Sequence, residues 1–229
     1  MRGGIISLIG VVVVLMGTGC SYKASVPAVD VANIYTSYEE KVPGTVALVV
    51  DAQEDVLNRT IKPNTYTLGA HKYPIAAATA FKTSVMNTTK SVFENVVDKN
   101  EIPSIEQMYT DNLNGYLVVH VKHFEPRISF IQGFWSATAS STVEIAFDFT
   151  VRDKNNNLIF SSAVSASRTA EGDAGGAGAG GAPVIADATK KAVTEALERY
   201  AERLSNSSKL REAFALPQKI EKKKQNIKK

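Results

Sequence analysis

Cys20 is the single cysteine in a chain of 229 residues. A thiol is the strongest nucleophile a side chain can offer once it is deprotonated. Gly17, Thr18 and Gly19 precede it, and residues this small let a peptidase approach the backbone. Upstream lies an apolar stretch, residues 5–16, and before that Arg2, the only charge in the first twenty residues. A positive start, a short apolar segment and small residues at a cut site follow the plan of an export signal. The apolar part, about 12 residues, is shorter than the roughly 20 needed to cross a hydrocarbon core. Residues 1–19 are therefore expected to be a cleaved signal peptide, with Cys20 the lipidation site that accepts a diacylglycerol. The alternatives are a retained short anchor helix or a stray cysteine behind an ordinary signal. Acylation consumes a thiol that would be a hazard in an oxidising compartment. The mature chain must then be stabilised by a packed core and not by disulfides.

The other chemistry-bearing residues are sparse. His120 and His123 stand three apart in a β-rich segment, a spacing that points them to opposite faces of a strand and argues against a shared metal. His71 precedes an expected helix and reads as a structural histidine. Residues 172–182 are glycine and alanine with one aspartate, and formally contain G-x-G-x-x-G at Gly176, Gly178 and Gly181. A dinucleotide fingerprint needs a further parallel strand after the helix, and none is expected here. The run reads as a flexible connector. No serine lies in a G-x-S-x-G elbow. Glu39-Glu40 and Glu54-Asp55 fall in expected loops, with nothing to perturb their acidity. No catalytic residue, metal ligand or cofactor site is assigned, and the chain is expected not to be an enzyme. Phe124, Phe130, Phe134 and Trp135 cluster between two expected strands, either closing one end of a core or meeting lipid or a partner.

These residues must be positioned by elements whose periods can be read. Val143, Ile145, Phe147, Phe149 and Val151 alternate with polar residues, a period of two that puts one face in the core. Asp153 to Asn157 supply a turn, and residues 157–168 supply a returning strand. Residues 116–123 form a preceding strand, which makes an antiparallel meander. Residues 45–51 form a compact β-branched strand, and 65–68 a weaker one. Phe81, Val85, Thr89, Val92 and Val96 repeat at three and four residues, which predicts a helix over 75–98. Ile185, Ala188, Ala192, Ala196, Tyr200 and Leu204 trace a closing helix from Pro183. The fold class expected is α+β, an antiparallel sheet of about four strands with two helices packed on one face.

Composition fits this plan. Hydrophobic residues make up 44% of the chain, ordinary for one globular domain. The mature chain carries 25 Lys and Arg, Arg2 being lost, against 23 Asp and Glu, a net of +2. Residues 217–229 hold six lysines and Glu221, a net of +5, and read as a basic flexible tail or a segment that binds anionic lipid. Residues 20–43 read as lipidated cysteine and linker, and 44–216 as a single α+β domain.

The segment ending at Cys20 resembles a bacterial lipobox: Thr18 and Gly19 fit its small positions, and Gly17 stands where an aliphatic residue is usual. With the strand at 45–51, the helix at 75–98, the meander at 116–168 and the closing helix, the arrangement resembles small bacterial periplasmic lipoproteins. That group includes the YajG-like lipoproteins, the lipopolysaccharide-assembly lipoprotein LptE and the auxiliary lipoproteins of ABC transporters. The resemblance implies a non-catalytic accessory lipoprotein of a cell-envelope assembly serving transport, secretion or motility. It implies a membrane partner through the lipid anchor and a protein partner in the envelope. The alternative reading is a carrier of lipid or lipopolysaccharide. Export excludes nucleic acid as a partner. Ser21 after the cysteine, with no aspartate there, resembles a sorting signal for the periplasmic face of the outer membrane, the inner membrane being the alternative.

Overall fold

The computed structural model describes residues 20–31, 36–64, 69–133 and 136–215. The eight strands among them are β1 Ala24–Ser25, β2 Val42–Asp51, β3 Asn58–Ile61, β4 Tyr73–Ala76, β5 Phe93–Lys99, β6 Gly115–Gln132, β7 Ala137–Asp153 and β8 Leu158–Asp173. The α-helices are α1 Glu54–Leu57, α2 Ala78–Val92, α3 Ile105–Thr110, α4 Gly181–Ser205 and α5 Ser208–Ala215. The class is α+β, as expected, but the sheets differ. A five-stranded sheet runs β5-β2-β6-β7-β8, and a separate three-stranded sheet runs β1-β4-β3. The larger one is mixed and not antiparallel throughout, because β2 pairs in parallel with both β5 and β6.

The β6–β7–β8 meander is longer than its apolar alternation suggested. β7 keeps Val143, Ile145, Phe147, Phe149 and Val151 buried on one face along its whole length. Helices α2 and α4 cover that face. Phe147 touches Phe81 at 5.4 Å between ring centroids and Tyr200 at 5.9 Å. The Tyr200 hydroxyl and Thr89 Oγ1 lie 2.7 Å apart and join the two helices inside the core. Burial pushes the Tyr200 phenol well up from its ordinary value, against a smaller lowering by Thr89. On the opposite face, α3 lays Met108 over Ala47, Leu113 and Tyr116.

Two boundaries move for identifiable reasons. The helix expected over 75–98 is confined to Ala78–Val92. Phe93, Val96 and Val97 belong to β5, where pairing with β2 outweighs the helical spacing. Tyr73–Ala76, ahead of that helix, is strand β4. The closing helix starts at Gly181, and after Asn206 a separate α5 buries Leu210 and Phe214. Residues 20–43 were expected to be a linker, yet Ala24, Val29 and Val31 belong to the core. Val29 N–H donates to Ser84 Oγ at 2.9 Å, which ties this segment to α2. The expected strand at 65–68, the signal peptide 1–19 and the tail 217–229 lie outside the described residues.

Candidate functional site

Cys20 sits at the start of the small sheet with its side chain exposed. Its backbone is held on both sides. Cys20 N–H donates to His71 Nδ1 at 3.1 Å, and Cys20 C=O accepts from Lys72 N–H at 3.0 Å. Ser21 bridges Lys72 in parallel, and Ala24 and Ser25 continue the ladder opposite Ile75 and Ala76. Tyr22 N–H donates to Lys72 C=O at 2.9 Å. The Tyr22 ring lies 5.7 Å from the His71 ring and 5.9 Å from the Tyr73 ring. The Tyr22 phenol is pushed up from its ordinary value, first by a hydrogen bond with the Cys20 side chain and then by desolvation. The thiol is thus presented to solvent from a backbone that is itself part of a sheet. His71, read from sequence as structural, is the acceptor that seats the cysteine.

The glycine run is packed and does not behave as a free connector. Ala174 is buried and donates to Ala137 C=O at 2.8 Å. Gly178 C=O accepts from the Tyr73 hydroxyl at 2.6 Å. A Cβ at Gly181 would come within 2.9 Å of Ile128, Phe130 and Tyr73, so the small residue is what lets α4 start against the hairpin. Burial pushes the Tyr73 phenol up to about 12. Phe124 is buried and Phe130 packs 6.2 Å from Tyr73 as part of a closed core end, whereas Phe134 and Trp135 lie outside the described residues.

The two strand histidines are not on opposite faces. A bulge in β6 falls between Val121 and His123, so Val121 and Phe124 both face the core while His120, Lys122 and His123 all face outward. One inserted residue reverses the parity that spacing alone implied. The histidines still take separate partners. His120 Nδ1 lies 2.7 Å from Asp51 Oδ2, and Gln53 Nε2 reaches the same ring. Among the described residues no hydroxyl or thiol is hydrogen-bonded to His120, so this pair has no nucleophile to activate. His123 groups with Glu125 and Glu144, whose ligand atoms all lie within 4.8 Å of one another. Arg127 already bridges these carboxylates, at 2.9 Å to Glu125 and 3.4 Å to Glu144. The Arg127 guanidinium supplies counter-charge of the kind a cation would bring. Sequence spacing missed this group because its members come from two strands.

The interior between sheet and helices is filled by Phe81, Phe147, Phe149 and Tyr200. A groove of about 520 Å³ lies at the side of the meander, lined by Ile61, Lys62, Arg127, Ser129, Ser140 and Thr142 among others. No described helix is long and apolar enough to cross a membrane.

No family model matches the chain, and no curated protein matches it. Among solved structures it is similar to a Xanthomonas campestris protein of the family model DUF330, at 12% identity and a TM-score of 0.48, over 80% of this chain and 93% of that one. It is similar to a minor lipoprotein from Acinetobacter baumannii, at 12% identity and a TM-score of 0.38, over 72% and 93%. It is also similar to the PelC dodecamer from Paraburkholderia phytofirmans, at 17% identity and a TM-score of 0.31, over 68% and 91%.

Proposed function

We propose that this chain is exported, cut before Cys20 and acylated on that thiol, and that it serves as a non-catalytic accessory lipoprotein of a cell-envelope assembly. The observation that carries the reading is the position of Cys20. It follows an apolar segment too short to span a bilayer, and its side chain is exposed. Its side chain is open to solvent while its backbone is paired with His71 and Lys72. The filled interior favours an accessory over a carrier, because a carrier would hold its lipid between sheet and helices. Outer-membrane sorting from Ser21 and a protein partner in the envelope belong to the same proposal.

The test is Cys20→Ser in cells fed a palmitate analogue that can be tagged. The parent protein is expected to incorporate the label and sediment with membranes. The variant is expected to remain an unlabelled precursor of higher mass. A variant that matures and fractionates like the parent contradicts the anchor. Crosslinking in intact cells should then capture one stoichiometric envelope protein, and failure to recover any would remove the accessory role.

A further inference from the structure

We infer that the Cys20 end of the three-stranded sheet, with the lysines beside it, is held edge-on against the anionic headgroups of the bilayer that holds the lipid anchor. The inference rests on Cys20 acylation, and it adds an orientation. A lipoprotein with a flexible linker floats away from its membrane, but this one has no slack. The residue that carries the acyl chains is itself paired to His71 and Lys72. Whatever surrounds Cys20 is therefore held at the membrane surface.

The surroundings are basic. Ser21 stands beside Lys72, and β3 runs antiparallel to β4 with Ile61 opposite Tyr73, which places Lys62 next to Lys72 across the sheet. Opposite residues share a face, and so do residues two apart in one strand. Lys23, Lys62 and Lys72 thus share the outer face, all three exposed, while Tyr73 and Ile75 turn to the core. None of the three lysines is in an ion pair among the described residues. The segments 20–25, 58–64 and 69–76 contain no Asp or Glu, so the three lysines give the outer face a net of +3, while Arg59, opposite Ile75, stands on the other face with Tyr22 and Cys20. Ile131, an exposed apolar residue, stands next to Phe130 at the same end. Basic residues at a membrane surface are attracted to anionic lipid over about a Debye length, roughly 8–10 Å at physiological salt. An anchor that holds these lysines at the headgroups keeps them inside that range. The 153–157 turn is remote. Phe130 pairs with Ala139 and Gly115 with Asp153, and the 14 residues from 139 to 153 extend about 45 Å at roughly 3.3 Å each.

The experiment uses the purified lipidated protein, whose acylated Cys20 leaves an introduced thiol unique. Ser25→Cys on the small sheet beside the lysines and Asn155→Cys at the remote turn are each given a fluorophore. They are reconstituted in vesicles of phosphatidylethanolamine and phosphatidylglycerol that contain a headgroup quencher. Quenching at position 25 is expected to exceed that at 155 severalfold. It should fall toward the value at 155 in phosphatidylcholine vesicles, and in the K23E/K62E/K72E variant, while the protein stays vesicle-bound. Equal, weak quenching at both positions on bound protein overturns the docking and leaves the anchor standing. Protein that remains in the supernatant contradicts the anchor itself, and the docking with it.

Discussion

At the Cys20 end of the β6–β7 hairpin, rings and lysines from distant parts of the chain converge. At the other end an asparagine turn closes on itself. There Asp153 Oδ1 accepts from the N–H groups of Asn155 and Asn157, each at 2.8 Å, and Asn156 adopts a φ of 67°. The Tyr116 hydroxyl donates to Asn156 Oδ1. Most of these bonds span four residues or fewer. At the Cys20 end, Tyr22, Tyr73, Phe130, Gly178 and Gly181 meet across more than a hundred residues of sequence. One end is built by local hydrogen bonding, the other by tertiary packing. The packed end carries the exposed cysteine.

Both ends share one interior, so the largest effect is expected at its centre. Phe147→Asp buries a carboxylate among Phe81, Phe149 and Tyr200, and should cost about 4 kcal/mol or more. Thermal unfolding followed by circular dichroism should lose its cooperative transition at both ends together. A variant that melts like the parent would mean the facing of β7 is wrong.

Next come the glycines that close each end. A Cβ at Gly115 would run into the Arg152 carbonyl and the Phe214 ring, where the backbone cannot yield, and Gly115→Ala should cost about 3 kcal/mol. At Gly181 the obstacles are the ends of three side chains, and Gly181→Ala should cost about 1–2 kcal/mol. Urea unfolding measures both. The reverse order would mean that the Cys20 end is the more rigid of the two.

The smallest effect at neutral pH sets apart the tyrosines of the two ends. Burial holds Tyr73 at about 12, above its ordinary value of 10. The folded state thus binds that proton more tightly than the unfolded one. The resulting stability is complete below pH 10 and is lost as pH rises through 12. Tyr116, at the asparagine turn, is also raised by burial, with Arg152 opposing. Tyr73→Phe should flatten the alkaline loss of melting temperature between pH 10 and 12. An unchanged slope would show that Tyr73 is wetter than the fold requires.

The locally built end was also the legible one. The alternation through Phe147 and the asparagine run after Asp153 mark a strand and a turn by rules that act within a few residues, and both are present. The stripes on α2 and α4 were equally visible, since Val85, Thr89, Ala188 and Tyr200 are buried as their spacing requires. What escaped were features decided by distant partners. Val96 continues a helical repeat, but β2 captures it as a strand. The stretch around Ala24 lacks periodicity because a two-residue strand is too short to show any. The bulge that turns His120 and His123 to one face depends on the register with β7. The expectation for Cys20 rests on its leader alone. That His71 and Lys72 seat it depends on a contact across about fifty residues, which no local pattern records.

The most direct test of the account is the mass of the amino-terminal peptide from the membrane-bound protein. The account predicts a peptide that begins at Cys20 and carries a thioether-linked diacylglycerol. A peptide that retains the leader, or one with an unmodified thiol, would contradict it.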